Sequence, residues 1–472
     1  MPEQHTYMVI DMKCFYASVE CAERQLNPFE TCLVVADETR GPNALCLAIS
    51  PRMKALGIKN RCRLSDIPKN VKYIIAPPRM QLYIDYAADI YAIYLNYFSP
   101  DDIHVYSIDE SFLDVTHYLG TYHMTPKQLA KRLMNEIADK LQIPSTAGIG
   151  TNLYLAKIAL DITAKKAKDH MGYLDEDLYR QTLWDHEPLT DFWQISTGTV
   201  NRLAKYGIHT MRGIAEYPEQ YIYKAFGKNA ELLIDHAWGR ESCEMKDIKN
   251  YRAKTHSVSF SQILPRDYSY EEARIVMQEM VLHGSHELMK RKVITPKIWI
   301  GVGYTYSATI PTSKGSTRLI SATSVNSLLQ DAAMPLYDKL ADRHTPIRRL
   351  AIAFEDVVDE GCEGKVFTLF TSEQSPLCSD VLFFRSAHTI IERALRGIVP
   401  PQRAKRIRLL HILMTAERRA AGKQESKHGH ALGAAAKHDV EDAYAYSYRK
   451  NGRYSGIHCR ALRRVCSQTQ GG

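Results

Sequence analysis

No Cys-x-x-Cys pair occurs among the ten cysteines of this 472-residue chain. That absence removes a zinc ribbon and a disulfide framework, and the scattered thiols read as small buried hydrophobes in a reducing compartment. No apolar run approaches the roughly 20 residues a membrane span requires. The opening MPEQHTYMVIDMK lacks a signal-peptide profile. A cytoplasmic protein with no membrane partner is therefore expected. Internal repeats are also missing, which excludes a solenoid. Hydrophobic content of 45% and charged content of 24% are ordinary for a soluble globular chain. At this length one core is too few, so two to four domains are expected.

Charge is unevenly spread. Residues 401–472 carry fifteen Lys and Arg against five Asp and Glu, a net of +10, so the first 400 residues sum to −2 of the total +8. Within those, 246–356 carries sixteen basic and eleven acidic residues, a net of +5. A basic module beside a near-neutral body suits a polyanionic partner, because Lys and Arg release counterions on meeting phosphates.

The pattern along the chain is α+β and multidomain. A short apolar strand, Tyr7 to Ile10, delivers Asp11 to its end, and Phe15 to Arg24 has helical spacing. CLVVAD (32–37) and ALCLAIS (44–50) read as buried strands around a Gly-Pro turn, and 79–98 as a Tyr-rich helix. DDIHVYSIDESFLDV gives two strands around a tight turn, followed by a helix at 126–141 and a strand near 146–150. Residues 152–240 look mainly helical and 241–253 read as a polar linker. From 254 to 356 the order is βαββαβ, with TSKGSTR (312–318) as a basic loop between strands. Beyond 371 the tail shows only weak periodicity, and after about 421 its composition suits disorder.

Asp11 at one strand end and Asp109-Glu110 on a later hairpin supply three carboxylates that one fold can gather. Two magnesium ions about 4 Å apart need such oxygen ligands to activate a hydroxyl and stabilise a leaving pyrophosphate. A lone Asp-Glu pair is usually a solvated turn. Here each acidic site follows an apolar strand, and Phe15 and Tyr16 sit beside Asp11.

DMKCFYASVE (11–20) and YSIDESFLDV (106–115) resemble the two catalytic signatures of Y-family DNA polymerases, especially the UmuC-like branch. The order of motifs matches from about residue 5 to 356. The resemblance implies a right-hand polymerase: a palm in 1–165 with small fingers inserted at about 31–77, and a helical thumb at 166–240. The linker 241–253, a little finger at 254–356 and the tail 357–472 follow. It implies Asp11, Asp109, Glu110 and the Met12 backbone carbonyl as ligands of two Mg2+ ions, with Mn2+ as an alternative. Tyr16 matches the steric gate that excludes a ribose 2′-hydroxyl, with Phe15 beside it. Deoxynucleoside triphosphate contacts are implied for Arg52 and Lys54 in SPRMKALGIKNR, and for Lys157 and Lys165 in NLYLAKIALDITAKK, where one residue is inserted near Thr163-Ala164. Lys254, Lys314 and Arg318 are candidates for primer-template DNA. VFTLF (366–370) resembles a sliding-clamp peptide, with Leu369 and Phe370 as its apolar anchors.

The chain departs from the family at two points. Lys13 stands where an acidic or amide residue is common. FWQISTGTVNRLAKYGI (192–208) resembles the thumb helix-hairpin-helix, but Gln194 and Ser196 replace its expected glycines. The implied activity is low-fidelity, template-directed DNA synthesis past damaged bases. Two rivals stay open: a metal nuclease of RNase H-like type, and a DNA-binding accessory factor with a decayed active site. The first has no use for Tyr16 beside Asp11, and the intact acidic set argues against the second.

Overall fold

The computed structural model describes residues 5–251 and 256–361, which fall into two units divided after residue 252. Lys254, Leu369, Phe370 and the tail therefore lie outside the described residues.

Among the described residues of the first unit, eight strands build two sheets. They are β1 (Tyr7–Met12), β2 (Leu33–Val35), β3 (Ala48–Ile49) and β4 (Ile74–Ala76). Then come β5 (Ile103–Val105), β6 (Glu110–Asp114), β7 (Ser145–Gly150) and β8 (Met171–Leu174). The larger sheet has the order β5-β6-β1-β7-β8, with β1 antiparallel to both neighbours and β8 parallel to β7.

Its central strand is apolar on both faces, because both faces are covered. Met8, Ile10 and Met12 enter a core with residues of the helices Met80–Leu95 and Pro126–Leu141. Tyr7 and Val9 pack on the opposite side with Leu153, Ala156 and Leu160. Each such side chain removed from water contributes roughly 1.5–3 kcal/mol.

The helix Leu153–Ile158 lies unusually close to β7. A Cβ at Gly148 would meet the Ala156 carbonyl oxygen at 2.2 Å, and one at Gly150 would meet the Ala156 nitrogen at 2.2 Å. Glycine at both positions is therefore a packing requirement. The same helix runs on into a π turn over Ala159–Ala164. A π turn holds one residue more than an α-helical turn.

The smaller sheet, β3-β2-β4, pairs β2 in parallel with β4 and carries the short helix Pro51–Ala55 after β3. Residues 44–50 form less strand than expected: only Ala48–Ile49, with Leu45 reaching Arg63 by an isolated bridge. Residues 152–240 are mainly helical, as expected, apart from β8, which carries the five-stranded layer past residue 165 to Leu174. Its four residues are too few to show a period. Helices follow from Glu176 to Ala237, three of them capped by Asp175, Ser196 and Thr210 side chains. The polar segment 241–253 is not plain linker. It holds the helix Met245–Asn250, closed at its start by a reciprocal Glu244 and Asp247 cap.

The second unit is the expected βαββαβ: β9 (His256–Tyr268), a helix Tyr270–Lys290, β10 (Val293–Tyr304), β11 (Ser313–Thr323), a helix Asn326–Leu340 and β12 (Ile347–Asp359). The sheet order is β11-β10-β12-β9, antiparallel throughout. Residues 313–318, read as a loop, belong to β11. Their alternation of half-buried and exposed positions has the period of a strand on an edge.

Candidate active site

β1 and β6 pair so that Asp11 stands opposite Glu110. The Met12 amide donates to the Asp109 carbonyl at 2.9 Å. The two acidic segments, 98 residues apart in sequence, are thus fixed side by side by backbone hydrogen bonds alone. After Met12 the chain turns sharply, with Cys14 in the left-handed region at φ 50°, and enters the helix Phe15–Ala22.

The side chains take partners inside this frame. Asp109 Oδ1 accepts from the Ser107 hydroxyl at 2.7 Å. Glu110 Oε1 lies 2.8 Å from Lys157 Nζ, and both groups are buried. Lys157 also meets Asp161 Oδ2 at 3.0 Å and Oδ1 at 3.1 Å.

Burial pushes the Asp11 carboxyl well above the usual range, and the charges of Asp109 and Glu110 push the same way. Asp109 is raised chiefly by burial, with the Ser107 hydrogen bond opposing. Glu110 is pushed up to about 7 by burial, against the pull of Lys157. Burial alone would lower the Lys157 ammonium, but Glu110 and Asp161 carry it above its ordinary value.

Among the described residues, no three His, Cys, Asp or Glu side chains close on one point at ligand distance. Asp109 is turned to Ser107, and Glu110 toward Lys157. The donor set still fits hard divalent cations: three carboxylates, all oxygen. Burial raises all three carboxyls, and on Asp11 the charges of Asp109 and Glu110 add to it, so a cation among them would offset both effects.

Phe15 is buried, and the Tyr16 ring stacks on Tyr83 with centroids 4.5 Å apart and planes 15° from parallel. Tyr83 in turn donates its hydroxyl to buried Glu20 at 2.7 Å. Arg79 also bonds Glu20, at 2.7 and 2.9 Å, as does Arg24.

The basic candidates separate. Lys54 lies near enough to the Cys14 thiol, three residues after Asp11, for its charge to act there. Arg52, two positions earlier on the same short helix, projects from another side, and among the described residues it shows no contact with the carboxylates. Lys157 is buried and serves as counter-ion to Glu110 and Asp161. Lys165 is exposed and only grazes Asp161, at 3.9 Å. Sequence reasoning missed Asp161, whose i,i+4 spacing from Lys157 was a readable signal. It also missed Arg61, whose charge acts on Asp109 although no local pattern points there.

In the second unit Lys314 and Arg318 are exposed on the same outward side of β11. Register places Lys314 opposite Gly301 and Arg318 opposite Lys297. On β12, Arg349 lies opposite Gly303. The same face carries Trp299, opposite Ser316, and Lys297, which is ion-paired to Glu355 at 2.8 Å. Lys297 and Arg349 emerge only from the register.

In the helical part, Gln194 adopts φ 68°, the conformation that suits the glycine it replaces. Ser196 caps the helix Thr197–Ala204 by accepting from the Thr199 amide at 3.3 Å. The hairpin forms despite the altered motif, but a side chain now occupies part of the amide site at its helix start.

Residues 10–161 match the model of the impB/mucB/samB family, and residues 255–365 match that family's C-terminal domain. A UV-damage repair protein UvrX of Bacillus subtilis (strain 168), so named as putative, is 29% identical over 357 residues, covering 75% of this chain and 83% of the relative. DNA polymerase IV 2 of the same organism is 31% identical over 297 residues, covering 62% of this chain and 69% of the relative. A Y-family DNA polymerase chimera built from Dbh and Dpo4 superposes with a TM-score of 0.59 at 20% identity, covering 75% of this chain and 99% of that one. At that identity the likeness speaks for the fold. No helix among the described residues is long and apolar enough to cross a membrane. With both family domains present in order around the paired Asp11 and Asp109-Glu110 segments, the chain belongs to the impB/mucB/samB family of Y-family DNA polymerases.

Proposed function

We propose that the chain adds deoxynucleotides to a primer 3′ end under the direction of a template, continues past damaged bases, and does so with two divalent metal ions. The observation that carries this reading is the register that sets Asp11 against Glu110, with Asp109 tied to Met12. Asp11, Asp109 and Glu110 would hold the ions, with the Met12 carbonyl as a further oxygen. When bound, the ions supply charge stabilisation to the attacking and leaving oxygens of an in-line displacement. The protein's own part is positioning. Tyr16, braced by Tyr83, presents a flat face where a deoxyribose would lie and leaves no room for a 2′-hydroxyl. Lys54 contributes a compact positive charge on the fingers side, suited to a triphosphate oxygen. Lys314 and Arg318 would grip the primer-template backbone, a role that fixes position and not sequence. In domain terms, 1–165 and β8 serve as palm, 31–77 as fingers, the rest of 166–240 as thumb and 254–356 as little finger. The sliding clamp, by way of Leu369 and Phe370, is a further proposed partner.

The test is primer extension with magnesium on undamaged and abasic templates. Full-length product on both, lost in Asp109→Ala, is the expected result. DNA binding without extension under any divalent ion would instead support the accessory-factor reading.

A further inference from the structure

We propose that Asp161 is a positioning residue that acts through Lys157: it supplies the lysine with a second carboxylate, so that Glu110 can be given up to a divalent cation. This rests on the metal-binding reading above and adds the device that makes the exchange feasible.

Three observations carry it. First, Lys157 is nearly inaccessible, with 8% of its side chain exposed, so its ammonium must have an anionic partner at all times. Second, that partner is divided: Glu110 Oε1 at 2.8 Å, and both oxygens of Asp161 at 3.0 and 3.1 Å. The buried ammonium is thus shared between two carboxylates, one on β6 and one on its own helix. Third, Asp161 sits within the π turn Ala159–Ala164, directly after the α-helical segment that carries Lys157. The close approach of that helix to Gly148 and Gly150 leaves it little freedom to shift.

The physical consequence concerns exchange. A lysine with Glu110 as its lone counter-ion would oppose any cation seeking that carboxylate, because success would strand a buried ammonium. With Asp161 in place the ammonium stays paired when Glu110 turns away. Asp161 is partly exposed, at 23%, and Lys165 stands 3.9 Å from it. It is thus tied to the lysines of its own helix turn, whereas Glu110 belongs to β6.

The test follows the lysine and not turnover. An amine-acetylating reagent attacks only the neutral amine, so labelling of Lys157, read by peptide mass spectrometry, reports whether it remains paired. In the wild-type protein, labelling should be low and change less than twofold on adding millimolar Mg2+. In Asp161→Asn it should stay low without Mg2+ and rise at least fivefold with it, since the ion then takes the remaining carboxylate. Asp161→Ala should behave alike, with thermal melting confirming that both variants fold. Strong labelling of the wild type on adding Mg2+, or no Mg2+-dependent rise in the folded variants, overturns the proposal. A third variant separates the two readings. If Mg2+ exposes Lys157 in Asp161→Asn and still does so when Asp109→Ala is added, the ion is not acting at this acidic site, and the metal assignment fails.

Discussion

Tyr83 holds the ring of Tyr16 in a near-parallel stack, 4.5 Å between centroids, and is itself tied by its hydroxyl to the buried carboxylate of Glu20. A gate that works by exclusion needs a stiff backing, because a ring that can tilt makes room for one more oxygen. Tyr83→Ala should therefore relax sugar selection through Tyr16, raising ribonucleotide use at least tenfold while deoxynucleotide use falls less. It should also cost about 3 kcal/mol of stability as a large-to-small core change. Tyr83→Phe keeps the stack and loses one hydrogen bond, about 1 kcal/mol, and should leave the sugar ratio unchanged. Competing single-nucleotide incorporation measures both. An unaltered ratio in Tyr83→Ala would show that Tyr16 is held by something else.

The acidic frame makes a sharper demand. Asp109→Ala and Glu110→Ala should each lower primer extension by well over tenfold while primer-template affinity stays within about twofold. A tenfold change corresponds to about 1.4 kcal/mol in the barrier, too small for the loss of a metal ligand. Extension within that margin would remove Asp109 or Glu110 from the metal site.

The same carboxylates set a pH dependence. Glu110 is raised to about 7 from its ordinary 4.5. The folded, metal-free protein therefore holds a proton there that the unfolded chain has lost, and this contribution to stability is full below about 4.5 and disappears as pH rises through 7. Asp11, also raised, acts in the same direction. Cations and protons compete for these oxygens. Divalent-ion affinity should thus climb between pH 6 and 8, while metal-free stability declines. Calorimetric Mn2+ titration and thermal melting at a series of pH values read the two trends, and opposite slopes are required. Metal affinity flat across this range would show that Glu110 is ionised before the ion arrives.

Much of this was legible in the sequence, for reasons that differ by residue. The helix at Pro126–Leu141 has a Thr125–Gln128 capping box and a clear apolar stripe, so its limits could be read directly. Asp11 and Asp109-Glu110 could be read because each adjoins an apolar strand, β1 at its end and β6 at its start. β8 could not, since four residues show no period and parallel pairing to β7 is a long-range choice. Residues 313–318 looked like a loop because small polar residues on an edge strand carry no hydrophobic alternation. Asp161 was overlooked because its role depends on a π turn and on a lysine whose burial is set by Gly148 and Gly150.

Those glycines can be tested directly. Gly148→Ala would place a Cβ 2.2 Å from the Ala156 carbonyl oxygen, a backbone atom that cannot rotate aside. The helix carrying Lys157 must then lift from β7, at a cost of about 1–3 kcal/mol by overpacking. The Glu110–Lys157 contact should loosen with it. Reduced melting temperature with raised Lys157 acetylation is the expected pair of changes. A stable variant with Lys157 still protected would mean that the sheet, and not the helix, gives way.

The outward face of β11 yields the last prediction, separating grip from chemistry. Lys314 and Arg318 are exposed and alternate with half-buried Ser313, Gly315, Thr317 and Leu319. Gly315 lies against Leu340 on the inner side, where even a Cβ would come within 3.1 Å of that leucine. The two cations are therefore directed away from the core, and replacing them should leave folding intact. If each meets one phosphate, Lys314→Ala with Arg318→Ala should reduce the slope of log affinity against log salt by about 1.8, from roughly 0.9 per contact. The loss should be largest at low salt and similar for different template sequences, since phosphate contacts carry no sequence information. The rate of incorporation at saturating DNA should be preserved, because neither residue belongs to the acidic site. Fluorescence anisotropy at four or five salt concentrations, with single-turnover extension on the same samples, measures both quantities. An unchanged salt slope would move the DNA-holding surface away from this strand, and a collapse of the saturated rate would give these residues a part in the chemistry.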